Sequence, residues 1–133
     1  MSKMISAVTV VVPDYDAAIA FYVGTLGFDL IEDTAVSPRK RWVLVAPPGA
    51  RETRLLLARA DGKTQEAAIG NQTGGRVFLF LATDDFDADY RRYLDRGVNF
   101  RDQPRTESYG RVVVFADPFG NLWDLIQYSN FSH

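Results

Sequence analysis

Asp14-Tyr15-Asp16-Ala17 returns, 71 positions later, as Asp85-Phe86-Asp87-Ala88. Each copy follows a short apolar run, Val8 to Val12 in the first case and Val77 to Ala82 in the second. Such a run, ended by Pro13-Asp14 or Thr83-Asp84-Asp85, is the pattern of a chain leaving a buried strand to start a helix. Asp14 or Asp16, and Asp84 or Asp85, supply the oxygen that caps free first-turn N–H groups. They are better read as caps than as catalytic carboxylates. Behind them, Ala18, Phe21, Tyr22, Thr25 and Leu26 recur with the spacing of one buried helical stripe, and Phe86, Tyr90, Tyr93 and Leu94 do the same. Gly27 and Gly97 suit the left-handed residue that ends a helix.

Three extended stretches follow each helix. In the first half they are Asp29 to Glu32, Arg41 to Ala46 and Arg54 to Ala58, with Pro47-Pro48-Gly49 turning the chain between the last two. In the second they are Asn99 to Asp102, Arg111 to Ala116 and Leu122 to Gln127, with Asp117-Pro118-Phe119-Gly120-Asn121 as the final turn. Arg41-Trp42-Val43-Leu44-Val45-Ala46 parallels Arg111-Val112-Val113-Val114-Phe115-Ala116 at an offset of 70. Two matches in the same order identify a duplicated βαβββ unit. The expected fold is therefore α+β: one module over about residues 4–60, a polar surface linker over 61–75, and a second module over about 76–128. Two helices for eight strands exclude a doubly wound parallel sheet, which needs a crossover helix for nearly every strand. Modules this small are expected to share a core or a dimer interface, and residues 1–133 are read as a single domain.

Composition narrows the function classes. The 133 residues are 47% hydrophobic and 13% aromatic, enough for a packed core and unlike a disordered chain. A net charge of −2 gives no basis for binding nucleic acid or an anionic membrane. With no cysteine, disulfides, thiolate chemistry and Cys-ligated metals are excluded. The apolar run at Val8 to Val12 is too short for a signal peptide or a membrane span, and a cytoplasmic location is expected. Gly70-Asn71-Gln72-Thr73-Gly74 lacks the Lys and Ser/Thr of a phosphate-binding loop. The one histidine, His133, is the last residue, where chains fray, so no serine has a base to activate it.

Pro13-Asp14, Phe21-Tyr22 and Leu26-Gly27-Phe28, followed at the far end by Asp117-Pro118-Phe119-Gly120-Asn121-Leu122-Trp123-Asp124-Leu125, resemble the opening and closing motifs of the vicinal-oxygen-chelate (glyoxalase/bleomycin-resistance/dioxygenase) superfamily. The resemblance runs from about Ile5 to Gln127 in the family's module order. It implies a curved sheet from each module, the two forming a cup that holds a small molecule, and a homodimer. In metal-dependent members the first and last strands of each module aim ligands at one divalent ion. Those positions here are Ala7, Leu56, Phe78 and Asp124. One carboxylate is not a site for a divalent transition metal, and Glu52 or Glu107 would add to it only if their loops folded inward. No metal or cofactor is expected, and metal-dependent glyoxalase or dioxygenase activity is not expected either.

Strand parity selects the neighbours that share the cup with those four positions. They are Thr9 with Ala7; Arg54 and Ala58 with Leu56; Arg76 and Phe80 with Phe78; and Leu122 and Ile126 with Asp124. The opposite faces, carrying Val8, Val10, Val77, Leu79 and Leu125, are expected to pack on the helices. Asp124 reads either as a hydrogen-bonded strand carboxylate or as a general base whose pKa is raised by apolar neighbours. Arg54 and Arg76 read as surface guanidiniums or as anchors for an anion at the rim. Phe78, Phe80 and Trp123 read most simply as core, with Phe78 able to stack on a planar ligand. Tyr109 reads as a turn residue or a lid, and Asp117 to Asn121 as a structural turn.

The leading functional expectation is a protein that sequesters a small organic molecule, as in the family's drug-resistance branch. The alternatives are a metal-independent enzyme using Asp124 as acid or base, a divalent-metal lyase or dioxygenase with atypical ligands, and a regulatory partner that uses the cup's rim as a protein interface.

Overall fold

The computed structural model describes residues 2–50 and 52–129. His133 lies outside the described residues. The chain forms two compact units, the first ending at Ile69 and the second beginning at Gly70.

The first unit follows the expected order. β1 (Ala7–Val12) leads into α1 (Tyr15–Ile19), which runs on as a π-helical turn over Ala20–Thr25, and β2 (Asp29–Ser37), β3 (Lys40–Ala46) and β4 (Arg54–Arg59) follow. The Asp14 carboxylate accepts from the Ala17 N–H at 2.8 Å, as its place before the stripe requires. Leu26 N–H reaches back five residues to the Phe21 carbonyl, and Gly27 takes φ 78° to end the helix. The buried stripe is Tyr15, Ala18, Phe21, Tyr22 and Leu26. The strands lie in the order β1-β4-β3-β2, with β1 and β4 parallel and the rest antiparallel. Val10, Val12, Leu55 and Leu57 are buried on one face of this sheet, while Thr9 is exposed on the other.

The second unit repeats the plan. It comprises β5 (Leu79–Ala82), α3 (Phe86–Asp95), β6 (Asn99–Phe100), β7 (Arg105–Glu107), β8 (Gly110–Ala116) and β9 (Leu122–Tyr128). The sheet order is β5-β9-β8-β6, with β7 also paired to β8 and with β5 and β9 parallel. Asp85 caps α3 by accepting from Ala88 N–H, and Gly97 has φ 80°. Phe115 and Trp123 stack at 5.8 Å and Tyr93 lies against Phe115, so Trp123 is core as expected. The closing turn is structural: the Asp117 carboxylate accepts from the N–H groups of Phe119 and Asn121 and from the Asn121 side chain.

Four expectations change. The linker is not all loop, because Lys63–Ala68 forms a short helix, α2. Its residues have no Gly or Pro among them but bury nothing, so no apolar stripe announces it. The stretch Asn99 to Asp102 shortens to two residues. There the Asp102 carboxylate accepts from Val114 N–H, and Pro104, which has no N–H, precedes β7. β5 begins at Leu79 rather than Val77, although Phe78 N–H still donates to the Leu122 carbonyl. Leu94 is exposed rather than buried, since one residue of helix turns it about 100° from Tyr93.

Candidate functional site

Alternate residues of each sheet face away from the helices. In the first unit, Thr9 pairs with Leu56, Leu56 with Leu44, and Leu44 with Glu32, which makes one row across that open face. Ala7 pairs with Arg54 in the neighbouring row. The parity assigned from sequence to Ala7, Thr9, Arg54 and Leu56 therefore agrees with the pairing.

A pocket of about 750 Å³ opens in this unit where β1 runs into α1 and the β2–β3 hairpin meets the end of β4. Thr9, Val11, Leu56 and Ala58 form part of its lining, with Trp42 beside them. Its rim carries Arg39, Lys40, Arg41 and Arg59, together with Asp61 and Gln65. Trp42 is 40% exposed, a large aromatic surface left open on a strand. Arg41 is held from several sides. It lies over the Tyr15 ring, 5.2 Å from the centroid, and donates to Asp16 and Asp33 at 2.9 and 2.7 Å. Its backbone N–H donates to the Tyr15 hydroxyl. The guanidinium holds the Asp33 carboxyl below the usual carboxylate range.

Of the residues singled out from sequence, Thr9 and Leu56 line this pocket. Ala7 and Arg54 share the sheet face without lining it. Arg54 is not a plain surface guanidinium, because its Nε is buried with no hydrogen-bond partner among the described residues. Trp42, Arg39, Lys40 and Arg59 were not singled out. The signal for Trp42 lay in the register of β3 against β4, which brings Leu44 opposite Leu56.

In the second unit, Phe80 pairs with Asp124 and Asp124 with Val114. Phe80 is 60% exposed, so it is not core; it sits on the open face, at the end of the Phe80-Asp124-Val114 row. Asp124 is buried, and its Oδ1 has no hydrogen-bond partner among the described residues. Burial pushes its pKa up, Asp102 adds to the rise, and Arg105 opposes it. Arg105 donates to Asp102 and Glu107 and also bonds Tyr109. Tyr109 is thus a hairpin residue tied to that cation, and Glu107 is already engaged. Leu122 begins β9 on the Asp124 side. Arg76 is exposed in the turn before β5, where its carbonyl accepts from the Thr73 hydroxyl.

Ala7, Leu56 and Phe78 are three of the positions that the resemblance assigns to metal ligands. They have no side-chain donor atom, and no group of three or more His, Cys, Asp or Glu suited to a metal occurs among the described residues. No helix among the described residues is long and apolar enough to cross a membrane.

Comparison with known proteins agrees with this architecture. An uncharacterized protein of Shewanella frigidimarina (strain NCIMB 400) is 55% identical over 128 residues, covering 96% of this chain and 95% of that one. The crystal structure of TnmS3, an antibiotic binding protein from Streptomyces sp. CB03234, is similar with a TM-score of 0.77 and 37% identity, over 96% of this chain and 98% of that one. UcmS2 is similar with a TM-score of 0.82 and 30% identity, over 95% and 98% of the two chains. Residues 4–125 match the Glyoxalase/Bleomycin resistance protein/Dioxygenase superfamily, and the chain belongs to that family.

Proposed function

We propose that this protein binds a small organic molecule in the pocket of its first unit, without the family's metal site. The observation that carries the reading is the pocket itself, about 750 Å³ with the exposed Trp42 on its wall. A concave site with an aromatic wall and a few polar groups is the usual form of a small-molecule site. Similarity to the antibiotic binding protein TnmS3 supports it. The test is a titration of chelator-treated protein with a panel of planar aromatic compounds, followed by tryptophan fluorescence. A saturable response that disappears in Trp42→Phe, with the compound recovered unchanged, is expected. Trp123 is buried and serves as the internal reference. No response to any compound sinks the reading.

Asp124 favours a second reading, a metal-independent enzyme in which this carboxyl moves a proton. Its burial and unpartnered Oδ1 are what a raised-pKa acid or base requires. Turnover in chelator that is lost in Asp124→Asn is the expected outcome, and turnover retained in that variant excludes it. A homodimer, a cytoplasmic location and the action of both modules as one domain complete the proposal. Light scattering tests the first, and a single calorimetric unfolding transition tests the last.

A further inference from the structure

We infer that the first-unit pocket selects a planar aromatic molecule that carries an anionic group, such as a carboxylate or sulfonate. The inference rests on the pocket being a binding site and adds the class of ligand it takes.

The argument is one of charge and direction. Arg39, Lys40, Arg41 and Arg59 line the pocket, against the single carboxylate of Asp61. Arg41 is already matched by Asp16 and Asp33. Arg39, Lys40 and Arg59 make no ion pair among the described residues. Three cations without an ion pair, facing the one carboxylate of Asp61, stand out around one concavity in a chain whose net charge is −2. A cleft in which one sign of charge predominates concentrates its field on what enters it.

The fold explains why the cations gather. Val43 pairs with Leu57, so the start of β3 lies beside the end of β4, and Arg59 comes to the same end of the sheet as Lys40. The hairpin turn before β3 places Arg39 there too, its N–H donating to the Ser37 hydroxyl. Lys40 and Trp42 are alternate residues of β3 and point to the same side. A ring lying on Trp42 would therefore present a substituent to Lys40, while Arg59, which pairs with Val12 on the alternate face, reaches the pocket from the end of the sheet. Charge-assisted hydrogen bonds from ammonium and guanidinium groups then hold the anion while Trp42 and Leu56 hold the ring.

The experiment compares three probes of one shape by calorimetry: naphthalene-2-carboxylate, naphthalene-2-carboxamide and 2-naphthylmethylammonium. The carboxylate is expected to bind about tenfold tighter than the carboxamide, with the ammonium weakest. In the variant combining Arg39→Gln, Lys40→Gln and Arg59→Gln, the carboxylate falls to about the affinity of the carboxamide, and the carboxamide is unchanged. These three side chains are exposed, and an unchanged melting temperature checks that the variant is folded. Arg91→Gln, an exposed change in the second unit, keeps the preference. Equal binding of carboxylate and carboxamide, with the Trp42 response intact, overturns the anion selectivity and leaves small-molecule binding standing. A preference that survives the triple variant overturns the role given to these cations. Failure of all three probes, together with no Trp42 response across the wider aromatic panel, overturns both readings.

Discussion

The two units repeat one another down to single contacts, and they part company on their open faces. Arg41 lies over Tyr15 and pairs with Asp16; Arg111 lies over Phe86, 5.1 Å from the centroid, and pairs with Asp87. Asp14 and Asp85 cap their helices in the same way. The rows Thr9-Leu56-Leu44 and Phe80-Asp124-Val114 also occupy matching places in the two sheets. Yet the first row is apolar at its centre and neighbours a cation-rimmed pocket, whereas the second buries a carboxylate. A duplicated scaffold thus holds the strand-to-helix contacts nearly constant and leaves the open faces to diverge, as expected where function lives in sites carried by a fold.

The largest test of this difference is to copy one row into the other with Asp124→Leu. At pH 7 the variant is expected to be more stable by about 1–3 kcal/mol, the usual cost of leaving a buried polar group without its partner. The pH dependence fixes the cause. Burial raises the Asp124 pKa above 3.8, so the folded state holds the proton that the unfolded chain releases. The wild type then loses stability as pH rises from 3.8 through the raised value, and Asp124→Leu lacks that loss. Urea unfolding at pH 4 and pH 7 measures it. An equal gain at both pH values would assign the effect to packing rather than to charge.

Much of the fold was legible because its signals are local. Caps, the stripe through Phe21 and Tyr22, Gly27 with Gly97, and the recurrence of Arg41 to Ala46 all lie in short windows, and each marks an element that formed. What escaped depends on partners distant in the chain. The break at Asp102 needs Val114 opposite it, and α2 buries no side chain that could mark it. The candidate site divides in the same way. Parity found Thr9 and Leu56, but Trp42 joins them only through the β3–β4 register, and the cations of the rim gather only when strand ends meet. The sequence leaves two readings of Arg54 open, because nothing in its neighbours along the chain shows that its Nε is buried.

The matched helix caps offer a finer test of the likeness. Asp14→Ala and Asp85→Ala should each cost about 1 kcal/mol, since each leaves one first-turn N–H without its side-chain acceptor. Thermal unfolding compares the two. Near-equal losses are expected if the repeat is energetic as well as geometric. A loss confined to Asp14→Ala would show that the longer bond at Asp85, 3.3 Å against 2.8 Å, contributes little.

The smallest effect concerns the paired arginines, where the likeness is closest in plan and loosest in distance. Arg41 meets Asp33 at 2.7 Å and Asp16 at 2.9 Å, while among the described residues Arg111 meets Asp87 alone, at 3.6 Å. All are solvent-facing pairs, whose worth is small and screened by salt. Arg41→Gln should still lower stability more than Arg111→Gln at neutral pH and low salt. The sign against pH follows from Asp33, whose pKa Arg41 lowers from 3.8. That contribution is complete above 3.8 and is lost as pH falls through the lowered value. The gap between the two variants should therefore narrow as the solution is acidified below 3.8. A gap that is unchanged by acid and by salt would instead assign the difference to the stacking of each guanidinium on its ring, Tyr15 or Phe86.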